Sequence, residues 1–293
     1  MHNNQISLSI LVDNETVEEF LKKTFNLSRN QIKKSKIAKA FLAKKLRYKD
    51  EISFSVDMVN HLSINPAYKG KEIKVISETD GLLILSKPSH CHIHPLSYDE
   101  QDNVLSFVRS VGKWSSFLNI NKESYDRSLL YRIDFETSGL VILSKGSLQR
   151  SDIKTKIYLA AVEGRVSDEL ELVHYLTTTG KKIKESSSGE HSKCLVKPIA
   201  FDEKKNISFV LVQLNEGRRH QIRVQLSAIG HPIIGDSLYA SNVDLGYFGL
   251  HCLSYSFSDK DFFDVNIPFG ILLDSFLDIN SDLEVLCDKF RIS

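Results

Sequence analysis

Hydrophobic and polar positions near the amino terminus follow short periods that predict two strands and two helices. Residues 6–10 and 52–56 alternate apolar and polar side chains, as half-buried strands do. Between them, Thr16-Val-Glu-Glu19 is a capping-box pattern that begins an amphipathic helix. Ser28 predicts the start of a second helix, which carries Ile32 and several lysines. We therefore expect a small module, followed by a linker at residues 59–70.

After the linker the apolar segments become longer and the turn signals sharper. Asp80-Gly81 lies between the apolar segments 73–76 and 82–85 and is the strongest short signal for a β-hairpin. Strands and helices do not alternate strictly, so the predicted fold class is α+β rather than a doubly wound sheet. Residues 178–192 have the Gly-, Ser- and Lys-rich composition of a mobile surface loop. Further strands are predicted at residues 139–143, 157–162 and 207–212, and helices at residues 104–111 and 218–229.

Charge is distributed unevenly along a chain whose net charge is only +1. Between Lys22 and Lys49 there are eleven Lys or Arg residues and no Asp or Glu. Such a block predicts contact with a phosphate-rich partner, although a solvated basic helix face would have the same composition.

The cysteines and the apolar runs bear on the compartment of the protein. Cys91, Cys194, Cys252 and Cys287 are widely spaced and form no C-x-x-C pair, so they indicate neither a zinc site nor a disulfide framework. Free thiols suit a reducing cytoplasm. No apolar run approaches membrane-spanning length, and the first residues lack a secretory signal pattern. We therefore expect a soluble cytoplasmic protein that does not bind membranes.

Asp134 is the first candidate for chemistry. It lies between Ile133 and Phe135, just before Thr137-Ser-Gly139 and a strongly apolar strand. A carboxylate in such surroundings must be paired or hydrogen-bonded. It either performs chemistry or caps backbone N–H groups in a structural turn, and the pattern alone does not separate the two.

A second candidate segment, residues 217–226, concentrates basic side chains at a strand-to-helix junction. Ile222 and Leu226 would face the core one turn apart, and Arg223 between them is a candidate partner for a buried carboxylate. Arg218, near the helix start, could contact phosphate. An exposed basic helix end would explain the same residues equally well.

A third segment, residues 156–164, predicts a strand that presents Lys156 and Tyr158 on one face. Ile157 and Leu159 would lie on the other face. A lone Tyr in a strand is most often a packing residue, so this pattern by itself assigns no chemistry to Tyr158.

Together these segments resemble the motifs of the RluA-like pseudouridine synthases. Residues 130–139 are similar to H-R-L-D-x-x-T-S-G, residues 217–225 to G-R-x-H-Q-I-R-V-H, and residues 156–164 to K-x-Y-x-A-x-V-x-G. The similar blocks occur in family order across roughly residues 72–270. Three further blocks are residues 85–95 (N-K-P…V-H-P), 229–236 (I-G-H-P-I-x-G-D) and 250–252 (L-H-A).

The resemblance implies an isomerase that detaches uracil from its ribose within RNA and rejoins it through carbon 5. Asp134 corresponds to the family's catalytic aspartate, Arg223 to the arginine that pairs with it, and Tyr158 to the tyrosine that packs on the target uracil. No redox change or net hydrolysis occurs, so we expect neither a metal nor an organic cofactor. The implied partner is ribosomal large-subunit or transfer RNA, bound by a monomer. Further RNA or substrate contacts are assigned to Arg132, Lys156, Arg218, His220, Gln221, Lys33 and Lys34.

The resemblance also implies a domain organisation. Residues 71–293 would form a pseudouridine synthase catalytic domain with a mixed, largely antiparallel sheet. Residues 1–58 more faintly resemble the small αL-type RNA-binding module of certain ribosomal proteins, and residues 59–70 stay the linker. The module's glycine-containing turn is absent, because no glycine precedes Gly70.

Some positions depart from the family pattern. Tyr131 and Gln225 stand where the family usually has His, and Ile133 and Arg219 stand where Leu and Thr are common. None of these changes removes a residue to which chemistry is assigned. We expect Tyr131 and Gln225 to alter the fit of the substrate.

His90, Cys91, His92 and His94 have the composition of a metal-binding tract. In a strand the three histidines would share one face and Cys91 would point away. The family likeness places His94 in an ordinary turn, so we expect no metal at this tract.

Two alternatives compete with this interpretation. A non-catalytic RNA-binding or ribosome-assembly protein on the same fold would explain the basic block, but not why Asp134, Tyr158 and Arg223 all occur in their motifs. A glycoside hydrolase or nucleosidase would need a second carboxylate. Glu136 is the only other acid in that segment, and the Thr-Ser-Gly turn is expected to keep it from sharing a face with Asp134.

Overall fold

The amino-terminal periodicities fold into a two-stranded sheet and three short helices. In the computed structural model, β1 (Gln5–Ser9) pairs antiparallel with β2 (Glu51–Ser55), and α1 (Val17–Phe25), α2 (Arg29–Lys34) and α3 (Lys39–Leu42) lie between them in sequence. The predicted capping box is formed, because the Thr16 N–H donates to Glu19 Oε2 at 2.8 Å and the Glu19 N–H donates to Thr16 Oγ1 at 3.2 Å. One small apolar core joins these elements and contains Ile10, Val17, Phe20, Leu21, Ile32, Leu46 and Ile52.

The structure describes most of the chain, in several ranges. The predicted helix cap Ser28 and the first part of the predicted linker lie outside them, whereas residues 64–70 are described and have no regular secondary structure. The described ranges are residues 5–10, 13, 15–25, 29–34, 37–55, 64–96, 99–118, 128–180 and 182–272, together with residues 282, 285, 287 and 288.

A ten-stranded sheet forms from the later segments. The hairpin predicted around Asp80-Gly81 is confirmed and consists of β3 (Lys74–Glu78) and β4 (Leu82–Lys87). The other strands are β5 (Ser138–Ser144), β6 (Thr155–Glu163), β7 (Leu170–Thr179), β8 (Lys182–Glu185), β9 (Glu190–Asp202), β10 (Ile207–Leu214), β11 (Leu250–Ser256) and β12 (Asp261–Phe263). Their spatial order is β3-β4-β5-β11-β6-β10-β9-β7-β8, with β12 beside β11.

The strand directions confirm a mixed, largely antiparallel sheet of the α+β class. β5 runs parallel to β11, whereas β6, β7, β8, β9 and β10 pair antiparallel with their neighbours. Two further helices, α4 (Val104–Ser110) and α5 (Gln221–Ala228), lie near the predicted positions. None of the described helices has both the length and the apolar composition needed to span a membrane.

Strand β6 lies between β11 and β10 and is buried on both faces. On one face Ile157, Leu159 and Ala161 join the apolar core of the sheet. Lys156 and Tyr158 alternate with them and are 3% and 6% exposed. A polar group on such a strand cannot rely on water and needs a partner.

The loop predicted at residues 178–192 is wrong over most of its length. The end of β7, strand β8 and the start of β9 occupy most of it, and among its described residues Gly180 and a tight turn at residues 186–189 lie outside the strands. Leu176 and Ile183 explain the difference, because they pack against Val224 of α5 and Tyr239. Ile183 thus packs with Leu176 of β7 and holds the largely polar β8 in the sheet.

The described chain forms two compact units. One unit consists of the described residues within 1–71, 92–130 and 143–146, and the other of the described residues within 72–91, 131–142 and 147–293. We call the second the sheet unit. The predicted division into residues 1–58, 59–70 and 71–293, and the αL-type character of the amino-terminal module, stay predictions.

Candidate functional site

Asp134 lies directly before the bend at residues 135 and 136 that leads into β5, and its side chain is 24% exposed. Gly139, the second residue of β5, has φ 114° and passes very close to β11. A Cβ at this position would lie 2.3 Å from the carbonyl oxygen of Cys252. Only glycine therefore lets β5 approach β11 here, and the bend before β5 leaves the Asp134 carboxylate partly accessible.

Arg223 is the charged centre of the site and is 1% exposed. Its Nε and Nη2 donate to both oxygens of Asp236, at 2.7 and 2.9 Å. Its Nη1 lies 3.0 Å from Glu136 Oε2 and 3.5 Å from Asp134 Oδ2. Arg223 therefore lies beside Asp134, but its closest partner is Asp236, through a bidentate pair.

Glu136 and Asp134 contact the same guanidinium nitrogen. The expectation that the turn would keep Glu136 away from Asp134 is wrong, because the chain bends at residues 135 and 136 and both carboxylates turn towards Arg223. Burial acts to raise the pKa of Glu136, but the Arg223 charge and hydrogen bonds outweigh it and hold that pKa below its ordinary value. Glu136 is thus a carboxylate, not a protonated acid, at neutral pH.

The pKa of Arg223 is raised, although burial acts to lower it, because Asp236 foremost and then Glu136 and Asp134 stabilise the cation. Three carboxylates surround this one guanidinium, so negative charge exceeds positive charge at the site. The rings of Tyr239 and Phe248 flank the guanidinium at 5.3 and 5.1 Å from its carbon.

His220 lies at the amino-terminal cap of α5 and has a left-handed backbone with φ 53°. Its Nδ1 is 2.9 Å from the Tyr239 hydroxyl, and its Nε2 is 3.9 Å from Asp134 Oδ1. Burial lowers the pKa of His220, and the opposing effect of Asp134 does not restore it. The imidazole is therefore neutral at neutral pH and faces Oδ1 of Asp134.

Tyr158 and Lys156 lie in a neighbouring cluster of the sheet unit. The Tyr158 hydroxyl is hydrogen-bonded with Cys252 and Tyr255, and burial raises the pKa of Tyr158 well above its ordinary value. The Lys156 ammonium lies 3.8 Å from the centroid of the Tyr131 ring. Burial lowers the pKa of Lys156 to about 8.

Tyr131 and Gln225, two of the positions that depart from the family pattern, differ in their surroundings. Tyr131 belongs to the cluster of Lys156, and its hydroxyl donates to the carbonyl of Gly217. Gln225 is fully buried, and its Nε2 donates to the carbonyls of Leu172 at 3.2 Å and Ser192 at 3.1 Å. Gln225 therefore ties α5 to the sheet, whereas Tyr131 shapes a cationic cluster.

The remaining assigned residues of the sheet unit fall into two groups. Arg132 and Arg218 are exposed, and Arg218 forms an ion pair with Glu190 at 2.7 Å. Gln221 is buried, accepts from the Arg218 N–H at 2.9 Å and donates to the Lys193 carbonyl at 3.0 Å. Gln221 thus anchors the start of α5, while the two arginines are accessible to a ligand.

The basic block near the amino terminus is exposed where the structure describes it. Lys33 is exposed, and the side chain of Lys34 lies outside the description. The exposed cations that follow are Lys39, Lys44, Lys45, Arg47 and Lys49. Whether they contact RNA stays a prediction.

Sequence reasoning assigned no role to Asp236 or Tyr239. Asp236 is 1% exposed and Tyr239 is 8% exposed, and both contact Arg223. A signal for Asp236 was present, since a lone carboxylate after Ile233-Ile-Gly235 must be buried and therefore needs a buried cation.

The residues of the His-Cys tract take separate partners. The His90 ring packs edge-on against Phe135 at 5.5 Å, and Cys91 is buried. His92 Nδ1 lies 2.5 Å from Glu100 Oε1. Within the described ranges, no group of three or more His, Cys, Asp and Glu side chains could hold a metal ion.

Comparison with known proteins relates this site to a family. A model of the family described as RNA pseudouridylate synthase matches residues 81–228, which include Asp134, Tyr158 and Arg223. A protein described as an uncharacterized RNA pseudouridine synthase, of Helicobacter pylori (strain ATCC 700392 / 26695), is 34% identical over 197 residues, covering 63% of this chain and 69% of the relative. One of Bacillus subtilis (strain 168) is 29% identical over 195 residues, covering 62% of each chain.

A solved structure shares the fold. Human RNA Pseudouridylate Synthase Domain Containing 1 superposes with a TM-score of 0.57 at 18% identity, covering 76% of this chain and 96% of the human one. Several of the similar curated proteins are longer than the matched region, since this chain spans 57% to 62% of their length.

Proposed function

Because the chain belongs to the RNA pseudouridylate synthase family, we propose that it converts uridine to pseudouridine in ribosomal or transfer RNA. The observation that carries the proposal is the position of Asp134. Its carboxylate is partly accessible and lies beside Arg223, whose other donors are taken by Asp236 and Glu136. Such an arrangement supports a carboxylate held in place for reaction, because a buried guanidinium beside it fixes its orientation.

The proposed reaction exchanges one glycosidic bond for another. Asp134 assists cleavage of the bond between uracil N1 and ribose C1′, either by attacking C1′ or by accepting a ribose proton. The uracil then turns, C5 bonds to C1′, the C5 proton is lost and N1 gains a proton, so no atom is added or removed. Tyr158 packs on the ring and retains it, and the target base leaves its helix or loop to reach the site.

The environment of Glu136 argues against the glycosidase alternative. A glycosidase of the usual kind needs one protonated carboxylic acid with a raised pKa beside a carboxylate. The pKa of Glu136 is instead lowered, and Glu136 shares the Arg223 cation with Asp134. Glu136 therefore supports the ion-pair network rather than supplying a general acid.

We also propose that the protein is a cytoplasmic monomer that acts without a cofactor. Cys91, Cys194, Cys252 and Cys287 are buried free thiols, which suits a reducing compartment.

Asp134→Asn tests the proposal most directly, because Asn keeps the size of the side chain and removes its charge. Cells lacking the gene are complemented with the unaltered protein, with Asp134→Asn, or with the exposed control Asp168→Asn. Pseudouridine is then mapped across total RNA. We expect one or a few pseudouridine sites to vanish on deletion and to return with the unaltered protein and with the control. With Asp134→Asn, we expect the rate of pseudouridine formation at these sites to fall by roughly a thousandfold.

Two outcomes would contradict the proposal. If Asp134→Asn restores every site, Asp134 is not the essential carboxylate. If deletion changes no site, the non-catalytic RNA-binding protein becomes the better description. Free uracil is measured in the same extracts, because its release would favour a nucleosidase.

A further inference from the structure

Lys156 is a buried residue whose ammonium has no hydrogen-bond acceptor in the described part of the chain, although the ammonium itself is not fully enclosed. It is 3% exposed, and its contact is the face of the Tyr131 ring at 3.8 Å. Glu216 acts on it electrostatically but is ion-paired with Arg218 at 3.6 Å instead. An ammonium has three N–H donors, and burying them without acceptors is costly.

Arg150 brings a second cation to the same ring. Its guanidinium carbon lies 4.7 Å from the Tyr131 centroid, and its side chain is exposed. Within the described ranges, neither Arg150 nor Lys156 has a carboxylate at ion-pairing distance. Positive charge thus concentrates at Tyr131, in contrast to the excess of negative charge around Arg223.

The two cations are held by a fixed ring. The Tyr131 hydroxyl donates to the carbonyl of Gly217. A Cβ on Gly217 would lie 2.0 Å from that hydroxyl and 3.0 Å from the Lys156 ammonium, so a larger residue there would displace the ends of both side chains. The arrangement is therefore preorganised before any ligand arrives.

We propose that Lys156 and Arg150, arranged on the Tyr131 ring, bind a backbone phosphate of the RNA substrate. The proposal rests on the proposed function for its ligand. A phosphate offers several anionic oxygens and can accept from an ammonium and a guanidinium together. A neutral uracil carbonyl would supply one acceptor for Lys156 and leave two positive charges uncompensated.

The strand geometry places this phosphate close to the target nucleotide. Lys156 and Tyr158 are two residues apart on the same face of β6, which corresponds to roughly 7 Å along a strand. If Tyr158 packs on the uracil, the phosphate bound by Lys156 belongs to that nucleotide or to its neighbour. The cluster thus fixes the backbone while the base reacts.

The test measures how binding depends on salt, without turnover. All proteins carry Asp134→Asn, and the probe is fluorescein-labelled oligouridine followed by fluorescence anisotropy. We expect Lys156→Gln and Arg150→Gln each to reduce the slope of log affinity against log salt by about 0.7, the value for one phosphate contact on a single strand. Lys156→Gln also weakens binding roughly tenfold at low salt.

Two variants serve as controls. Lys156→Arg keeps the charge and is expected to keep the slope. Lys260→Gln removes an exposed lysine whose ammonium also lies over an aromatic ring, that of Phe262 at 5.9 Å, and should leave the slope unchanged. Thermal unfolding of every variant shows that it is folded.

The outcomes separate this proposal from the proposed function. Weaker binding at an unchanged slope would mean that Lys156 donates to a neutral group, and unchanged binding would mean that it contacts no RNA; either result overturns the phosphate site. Reduced slopes for Lys156→Gln and Arg150→Gln support the site even if pseudouridine mapping fails to show isomerisation.

Discussion

At the scale of single residues, the shape of arginine explains the network around Asp134. The guanidinium is a planar fork, and one edge of Arg223 binds both oxygens of Asp236 while Nη1 faces Asp134 and Glu136. A lysine in place of Arg223 would offer one point charge and could not bind Asp236 on one side while facing Asp134 and Glu136 on the other. Asp236 therefore fixes the guanidinium, and the guanidinium positions Asp134.

Lys156 leads to a prediction about stability and pH. Its pKa is lowered from 10.5 to about 8 in the folded protein, so between these values the unfolded chain holds a proton that the folded chain has released. The free energy of unfolding must then rise as pH increases from about 8 towards 10.5. We expect Lys156→Met to remove this rise, which amounts to at most on the order of 3 kcal/mol.

Urea unfolding at neutral pH and at about pH 9 checks this prediction. Lys156→Met should be the more stable protein at neutral pH, because it no longer buries a charge, and the difference should shrink at the higher pH. Lys260→Met, at an exposed position, should follow the parent protein. Parallel curves for the parent and Lys156→Met would contradict the prediction.

At the scale of elements, the entry into β5 sets the position of the site. β5 is buried along its whole length and runs parallel to β11 from its first residues. The contact between Gly139 and the Cys252 backbone is made by main-chain atoms on both sides, so no side-chain rotation can relieve a clash. Asp134 and Glu136 depend on this contact because their bend precedes it directly.

Gly139→Ala should therefore destabilise the protein by more than the cost of placing an alanine at a positive φ. The matched control is Gly146→Ala, because Gly146 has a similar φ of 108° and a Cβ added there would meet nothing within 4 Å. We expect about 1 to 3 kcal/mol for the control and a clearly larger loss for Gly139→Ala. Urea unfolding of both proteins measures the difference, and equal losses would show that the close approach is unimportant.

At the scale of the whole molecule, charge placement matters more than total charge. A net charge of +1 gives little overall attraction to RNA. Any strong electrostatic contribution must come from local groups, and the exposed basic block is the largest such group along the sequence. RNA affinity should consequently fall steeply with salt.

Neutralising part of the exposed basic block should make RNA affinity depend less steeply on salt concentration. Changing three of its exposed lysines to Gln should reduce the slope of log affinity against log salt by about 2 on a single strand. Three exposed lysines of the sheet unit provide a control of equal charge change, and an equal effect of both sets would mean that the block has no special role. The test set is Lys39, Lys45 and Lys49, and the control set is Lys184, Lys204 and Lys260.

Local signals in the sequence were enough to determine several elements and the candidate residues. The capping box at Thr16, the hairpin at Asp80-Gly81 and the alternation of β6 were all predictable, because each depends on residues a few positions apart. The motifs pointed to Asp134, Tyr158 and Arg223 in the same way. Residues 178–192 were misassigned because their local composition is polar and their strands depend on distant packing.

Only the tertiary structure decided how these residues meet. Arg223 binds Asp236 thirteen positions away and lies beside Asp134 and Glu136 at separations of 89 and 87 positions. Lys156 of β6 reaches Tyr131, which lies before β5 in the chain, in the same way. A sequence shows which groups are charged, whereas burial and close approach depend on the folded sheet. These contacts determine which carboxylate each cation holds, and why the ammonium of one buried lysine still lacks an acceptor within the described ranges.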